Sequence, residues 1–113
     1  MSEVLDRSTL DHLRTVLGDD SGQFAGRLIA TFERQSVELM DGLDAAAHQG
    51  DVSQVNFFAH TLKGSSGSVG GRRLADLCAE LEHWHGQSSE LPSMLSAVRA
   101  ELGALTEALA GYL

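Results

Sequence analysis

Apolar residues in this chain recur at helical intervals, and that period constrains its fold more than any other feature. The final stretch shows it best: Leu91, Leu95, Val98, Leu102, Leu105 and Leu109 are separated by three or four positions throughout. Residues so spaced share one face of an α-helix, whereas a half-buried strand would alternate by two. Phe24, Leu28, Phe32, Leu39, Met40 and Leu43 mark a second stripe. Val55, Phe58, Leu62, Ser65 and Val69 mark a third, and Leu74, Leu77, Cys78, Leu81 and Trp84 a fourth. A shorter run, Leu10, Leu13, Val16 and Leu17, comes first. Leu and Ala dominate the apolar set and aromatics are only 5% of residues, which favours helices over strands.

Punctuation between the stripes gives the helix ends. Ser8-Thr9-Leu10-Asp11 has the form of a capping box, and Gly18-Asp19-Asp20-Ser21-Gly22 breaks the first short helix. The second helix stops near Gly50. Asp51-Val52-Ser53-Gln54 reads as a capping box for the third, which Gly70-Gly71 ends with a tight turn. Gly86-Gln87-Ser88-Ser89 reads as a loop with a serine as the next N-cap, and Pro92 suits the first turn of the last helix. Four amphipathic helices on short links bury their stripes most simply as an antiparallel four-helix bundle. The expectation is therefore an all-α fold, one domain over residues 1–113, with a short additional N-terminal helix at one end.

Composition excludes several classes of function. No apolar run approaches the roughly 18 residues of a membrane span. Met1-Ser2-Glu3-Val4-Leu5-Asp6 lacks the apolar segment of a signal peptide. Cys78 is the only cysteine, so no internal disulfide can form, and a reducing, cytoplasmic setting is expected. A net charge of −8 argues against nucleic acid as a partner. The charge is unevenly spread. The 24 residues between Asp51 and Asp76 hold no acid but carry Lys63, Arg72 and Arg73, and Lys63 is the only lysine. This basic island suits an anion or an acidic partner; chance clustering of three charges is the alternative.

The chemistry-bearing segment is Ala59-His60-Thr61-Leu62-Lys63-Gly64-Ser65-Ser66-Gly67-Ser68-Val69-Gly70. On a helix His60, Lys63, Gly64 and Gly67 stand at i, i+3, i+4 and i+7 and share a face. The core stripe points elsewhere, so the imidazole should be reachable from solvent. A neutral imidazole is a competent nucleophile near neutral pH. Lys63, one turn away, can neutralise a phosphoryl dianion. Each mid-helix glycine costs roughly 1 kcal/mol against alanine. Two on one face therefore call for a reason, such as the close approach of another protein.

His60-Thr61-Leu62-Lys63-Gly64-Ser65-Ser66, then Gly70 and the run Arg72-Arg73-Leu74-Ala75-Asp76-Leu77-Cys78-Ala79-Glu80-Leu81-Glu82, resembles the signature of the histidine phosphotransfer (HPt) family of two-component phosphorelays. The resemblance covers nearly the whole chain. It implies a four-helix bundle, a histidine phosphorylated at Nε2 (here His60), and Lys63, Gly64 and Gly67 as the stabilising and docking face. It implies receiver domains of response regulators or of a hybrid sensor kinase as partners, with Mg²⁺ in the receiver and no cofactor held by this chain. A monomer is expected, with no membrane or nucleic-acid partner. The position matching the family's ring-orienting residue is Glu82, whose carboxylate could accept from Nδ1–H; a solvated surface carboxylate is the alternative. The resemblance fits a stand-alone protein and a domain of a hybrid kinase equally.

Three rival readings carry less. Gly64 to Gly71 looks like a phosphate-cradling loop, but Lys63 precedes the glycines and no Gly-Lys-Ser/Thr follows, so no ATP site and no kinase activity are expected. A metal-binding bundle would need convergent ligands, and His83 and His85 are two apart, on different sides of a helix. A phosphoacceptor domain of a chemotaxis-type kinase shares His-x-x-Lys-Gly, but the Ser-Ser after Gly64 and Leu77-Cys78-Ala79-Glu80-Leu81-Glu82 fit the relay class better.

Overall fold

A computed structural model describes residues 3–86 and 89–113 of the chain. These residues form five helices: α1 (Arg7–Leu17), α2 (Gln23–His48), α3 (Val52–Ser68), α4 (Arg72–Glu82) and α5 (Leu91–Ala110). No strand occurs among the described residues. Each of α2 to α4 packs on its successor, and α5 returns against α2. Short connections make successive helices antiparallel, so the four close into a bundle as expected. α1 lies against α2.

The core forms where the stripes meet. Leu43 from α2, Val55 and Leu62 from α3, Leu74 and Leu81 from α4, and Leu105 from α5 are fully buried. The α3 stripe differs from the expected one in phase. The buried residues are Val55, Ala59, Leu62 and Ser66, continued by Val69, whereas Phe58 and Ser65 are only half-buried. Two of the buried α3 positions, Ala59 and Ser66, carry small side chains. The Ser66 hydroxyl is satisfied within its own helix, donating to the Leu62 carbonyl at 2.6 Å. Phe58 turns toward α2, where a side chain on Gly42 would collide with its ring.

Helix ends follow local chemistry with some shifts from expectation. Asp51 caps α3 by accepting from the Gln54 amide, as its sequence suggests. At α1 the N-cap is Asp6 rather than Ser8: the amide and hydroxyl of Ser8 both donate to the Asp6 carboxylate. Moving the cap two residues back lets the same segment anchor the bundle, because the Asp6 amide donates to the Gly70 carbonyl at 2.8 Å. Gly70 has a φ of 90°, and a side chain there would strike the Asp6 carbonyl, so glycine is required twice over. Gly71, pressed against Leu105 and Ser66, starts α4. Gln87 and Ser88 of the expected loop lie outside the described residues. The α5 N-cap is Glu90, not a serine, and its side chain makes no cap bond; Pro92 does fall in the first turn.

The first stripe is largely unburied. Leu10 is buried, but Val16 and Leu17 are exposed, as is Phe24 at the start of α2. α1 packs on α2, and its Asp11 accepts a hydrogen bond from the Tyr112 hydroxyl beyond the end of α5.

Candidate functional site

α3 fixes the site by its register. At about 3.6 residues per turn, Phe57, Gly64, His60, Gly67 and Lys63 fan in that order across one arc, opposite the buried Ala59, Leu62 and Ser66. His60 stands at the middle of this face with its side chain 67% exposed. Gly64 and Gly67 are exposed, and a Cβ on either would meet nothing within 4 Å. Packing within the domain therefore gives no reason for glycine at these two positions, in contrast to Gly42, Gly70 and Gly71.

The other half of the site comes from α4. Glu82, its last residue, reaches back to α3 and takes two partners at once. One carboxylate oxygen contacts His60 Nδ1 in a short hydrogen bond. The other accepts from Lys63 Nζ at 2.6 Å. The structure therefore brings His60, Lys63 and Glu82 together, with the Glu82 side chain 18% exposed. The pairing of Lys63 with Glu82 in particular is not visible in the sequence. Lys63 and then His60 hold the Glu82 carboxyl below the ordinary glutamate range, so it is a carboxylate at neutral pH. A carboxylate accepts and cannot donate, so the proton of a neutral ring is fixed on Nδ1. Nε2 is left with its lone pair toward the exposed side.

The junction itself is secured behind the site. Asn56, one turn before His60 on α3, donates to the carbonyls of Leu81 at 3.4 Å and Trp84 at 3.1 Å. These bonds tie the end of α4 to α3 and so set where Glu82 can reach. Cys78, one turn before Glu82, is fully buried, and burial reinforced by the Glu82 charge pushes its thiol up to about 12. It serves as a small core residue.

The basic island does not assemble at His60. Arg72 pairs with Asp6 at 3.1 Å and Arg73 with Glu101 at 3.2 Å, both at the start of α4. Nine to ten residues of helix separate them from Glu82, roughly 15 Å at the helical rise. Only Lys63 of the three stands by the histidine, and all three are matched to carboxylates from outside the acid-free interval. Phe57 was missed by sequence reasoning. It lies one turn before His60, is 57% exposed, and forms an edge-on ring pair with Phe58. Extending the His60–Gly64–Gly67 spacing backward by one turn would have found it.

Among the described residues no group of three or more His, Cys, Asp or Glu side chains converges as a metal site would require. Gly64 to Ser68 are helical, so this run is not a strand-to-helix phosphate loop. No helix among the described residues is long and apolar enough to cross a membrane.

Comparison with known proteins agrees with a helical bundle. The model of the Hpt domain matches residues 27–111, and the chain belongs to that family. Its fold is similar to the crystal structure of histidine-containing phosphotransfer protein B from Pseudomonas aeruginosa, with a TM-score of 0.85, 27% identity, and coverage of 98% of this chain and 95% of that one. It is 33% identical over 73 residues to histidine-containing phosphotransfer protein 2 of Arabidopsis thaliana, covering 62% of this chain and 47% of the relative. It is 23% identical over 82 residues to multistep phosphorelay regulator 1 of Schizosaccharomyces pombe, covering 73% of this chain and 28% of the relative. The chain thus spans less than half the length of either curated relative. The expected family and the expected helical-bundle class are both borne out.

Proposed function

We propose that this domain is a phosphorelay intermediate that accepts a phosphoryl group on His60 Nε2 from a receiver phospho-aspartate and passes it to another receiver. The observation that carries the proposal is the His60–Glu82 contact: it occupies Nδ1, fixes the tautomer and leaves Nε2 of an exposed ring free to attack. Family membership and the phosphotransfer relatives support the same reading.

In the forward step the Nε2 lone pair attacks phosphorus in line. The Nε2–P bond forms as the P–O bond to the receiver aspartate breaks, and the carboxylate departs with the electron pair. Such transfer depends on positioning and charge stabilisation more than on covalent help. The bare face at Gly64 and Gly67 lets another protein's surface come close, and Phe57 supplies apolar area beside the histidine. Lys63 is the cation nearest the incoming dianion. Mg²⁺ is assigned to the acidic pocket of the receiver, and the domain is assigned no ATP site and no kinase activity of its own. A monomer suffices for this role, because His60, Lys63 and Glu82 all come from one chain.

The test is transfer in trans. Purified receiver domains, each phosphorylated on aspartate, are mixed one by one with the chain and Mg²⁺. At least one should pass acid-labile phosphate to it within minutes, and Mg-ATP alone should not. Labelling of the pure chain by Mg-ATP, or no transfer from any receiver of its own organism, would contradict the proposal.

A further inference from the structure

We infer that Glu82 makes phospho-His60 a ready donor, by keeping the proton on Nδ1 and by drawing Lys63 away from the phosphoryl group. This rests on the acceptor role proposed for His60 and adds what decides how long the group stays there.

The first half follows from the ring's electron count. When Nε2 attacks while Nδ1 keeps its proton, the product is a phospho-imidazolium carrying a positive charge. It has two fates. If the Nδ1 proton leaves, the neutral phospho-ring can break its P–N bond only by expelling an imidazolate, a poor leaving group. If the proton stays, the same bond breaks to release neutral imidazole, a good one. A carboxylate in hydrogen-bond contact with Nδ1 favours the protonated, cationic ring both by charge and by accepting its proton. Glu82 is in that contact. A glutamine here could instead turn its amide N–H toward an unprotonated Nδ1 and favour the inert form.

The second half follows from the shared carboxylate. Lys63 is the only lysine of the chain, and in the unphosphorylated site it already donates to Glu82 at 2.6 Å. A phosphoryl dianion on Nε2 has to compete with Glu82 for that ammonium, and the Glu82 charge itself repels the dianion. Replacing Glu82 by an uncharged residue frees that ammonium to pair with the phosphoryl group. Both effects run the same way: the carboxylate weakens the hold of the site on its load.

The test uses the full chain and phosphoramidate as the phosphoryl donor, which transfers its group to Nε2 as its own P–N bond breaks and ammonia leaves. After the donor is removed, phosphorus NMR follows the decay of phospho-His60 near neutral pH, and nitrogen NMR reports whether Nδ1 carries a proton. Wild type should show a protonated Nδ1. Glu82→Gln should show it deprotonated, with a half-life longer by on the order of tenfold, equivalent to about 1.4 kcal/mol. Glu82→Ala should change both readings in the same direction. Adding Lys63→Met to Glu82→Gln should take back part of the gain, since part of it comes through the freed ammonium. Equal or shorter half-lives in both Glu82 variants, with Nδ1 protonated as in wild type, would overturn the inference. A wild-type chain that takes no label at His60 would overturn the acceptor reading, and this inference with it.

Discussion

Lys63 is bound to Glu82, at 2.6 Å, across two helices. From the sequence, Lys63 is a free cation awaiting a phosphoryl group and Glu82 a separate ring-orienting group. The structure makes them one unit, and the consequence reaches the imidazole. A carboxylate tethered on one oxygen by an ammonium presents its other oxygen to Nδ1 in a fixed direction.

Lys63→Ala should therefore disturb the unphosphorylated ring as well as transfer. With the tether gone, Glu82 regains rotamer freedom and holds Nδ1–H less firmly. Nitrogen NMR of the free imidazole should show the Nδ1–H tautomer less dominant than in wild type. A tautomer ratio unchanged by Lys63→Ala would show that Glu82 is positioned without it.

Gly64 and Gly42 should respond to side chains in opposite ways. Gly64 faces open space, so Gly64→Gln should fold cooperatively and gain up to about 1 kcal/mol from better helix propensity. It should nevertheless transfer phosphate far more slowly, because the side chain stands on the face proposed for docking. At Gly42 a Cβ would lie 2.6 Å from the Phe58 ring. Gly42→Ala should cost about 1–3 kcal/mol by overpacking. Thermal melts and transfer rates on the two variants read both effects. Normal transfer by folded Gly64→Gln would place the docking surface elsewhere.

Acid should uncouple the site. Lys63 first, and His60 second, hold the Glu82 carboxyl below the ordinary glutamate range. A depressed folded value means stabilisation that is complete above the unfolded value and is lost as pH falls through the folded one. Wild type should thus be more stable than Glu82→Gln at neutral pH, with the gap closing as pH drops below the ordinary glutamate range. Denaturant melts across that range check it. A gap that widened on acidification would have the wrong sign for this pairing.

The helices, their order and the histidine face could be read from residue spacing because these are local properties of one chain segment. The phase of α3 could not. Phe57 and Phe58 are equally apolar, yet Phe58 packs on Gly42 while Phe57 is exposed, and the buried positions opposite are Ala59 and Ser66. A stripe drawn through large apolar residues misses small ones chosen for close helix approach. The Asp6 cap was hidden for a related reason: its place depends on the tertiary bond to Gly70. Sequence also marked Lys63, Arg72 and Arg73 as one island, but α4 carries the two arginines to the far end from Glu82 and pairs them there with Asp6 and Glu101.

The central claim is that His60, and no other histidine, carries the phosphoryl group. The direct measurement is to phosphorylate wild type and His60→Gln from the same labelled receiver and to map the label. Acid-labile, alkali-stable phosphate on His60 in wild type, and none on the folded His60→Gln chain, is the expected result. Label persisting on His60→Gln, at His12, His48, His83 or His85, would contradict the assignment.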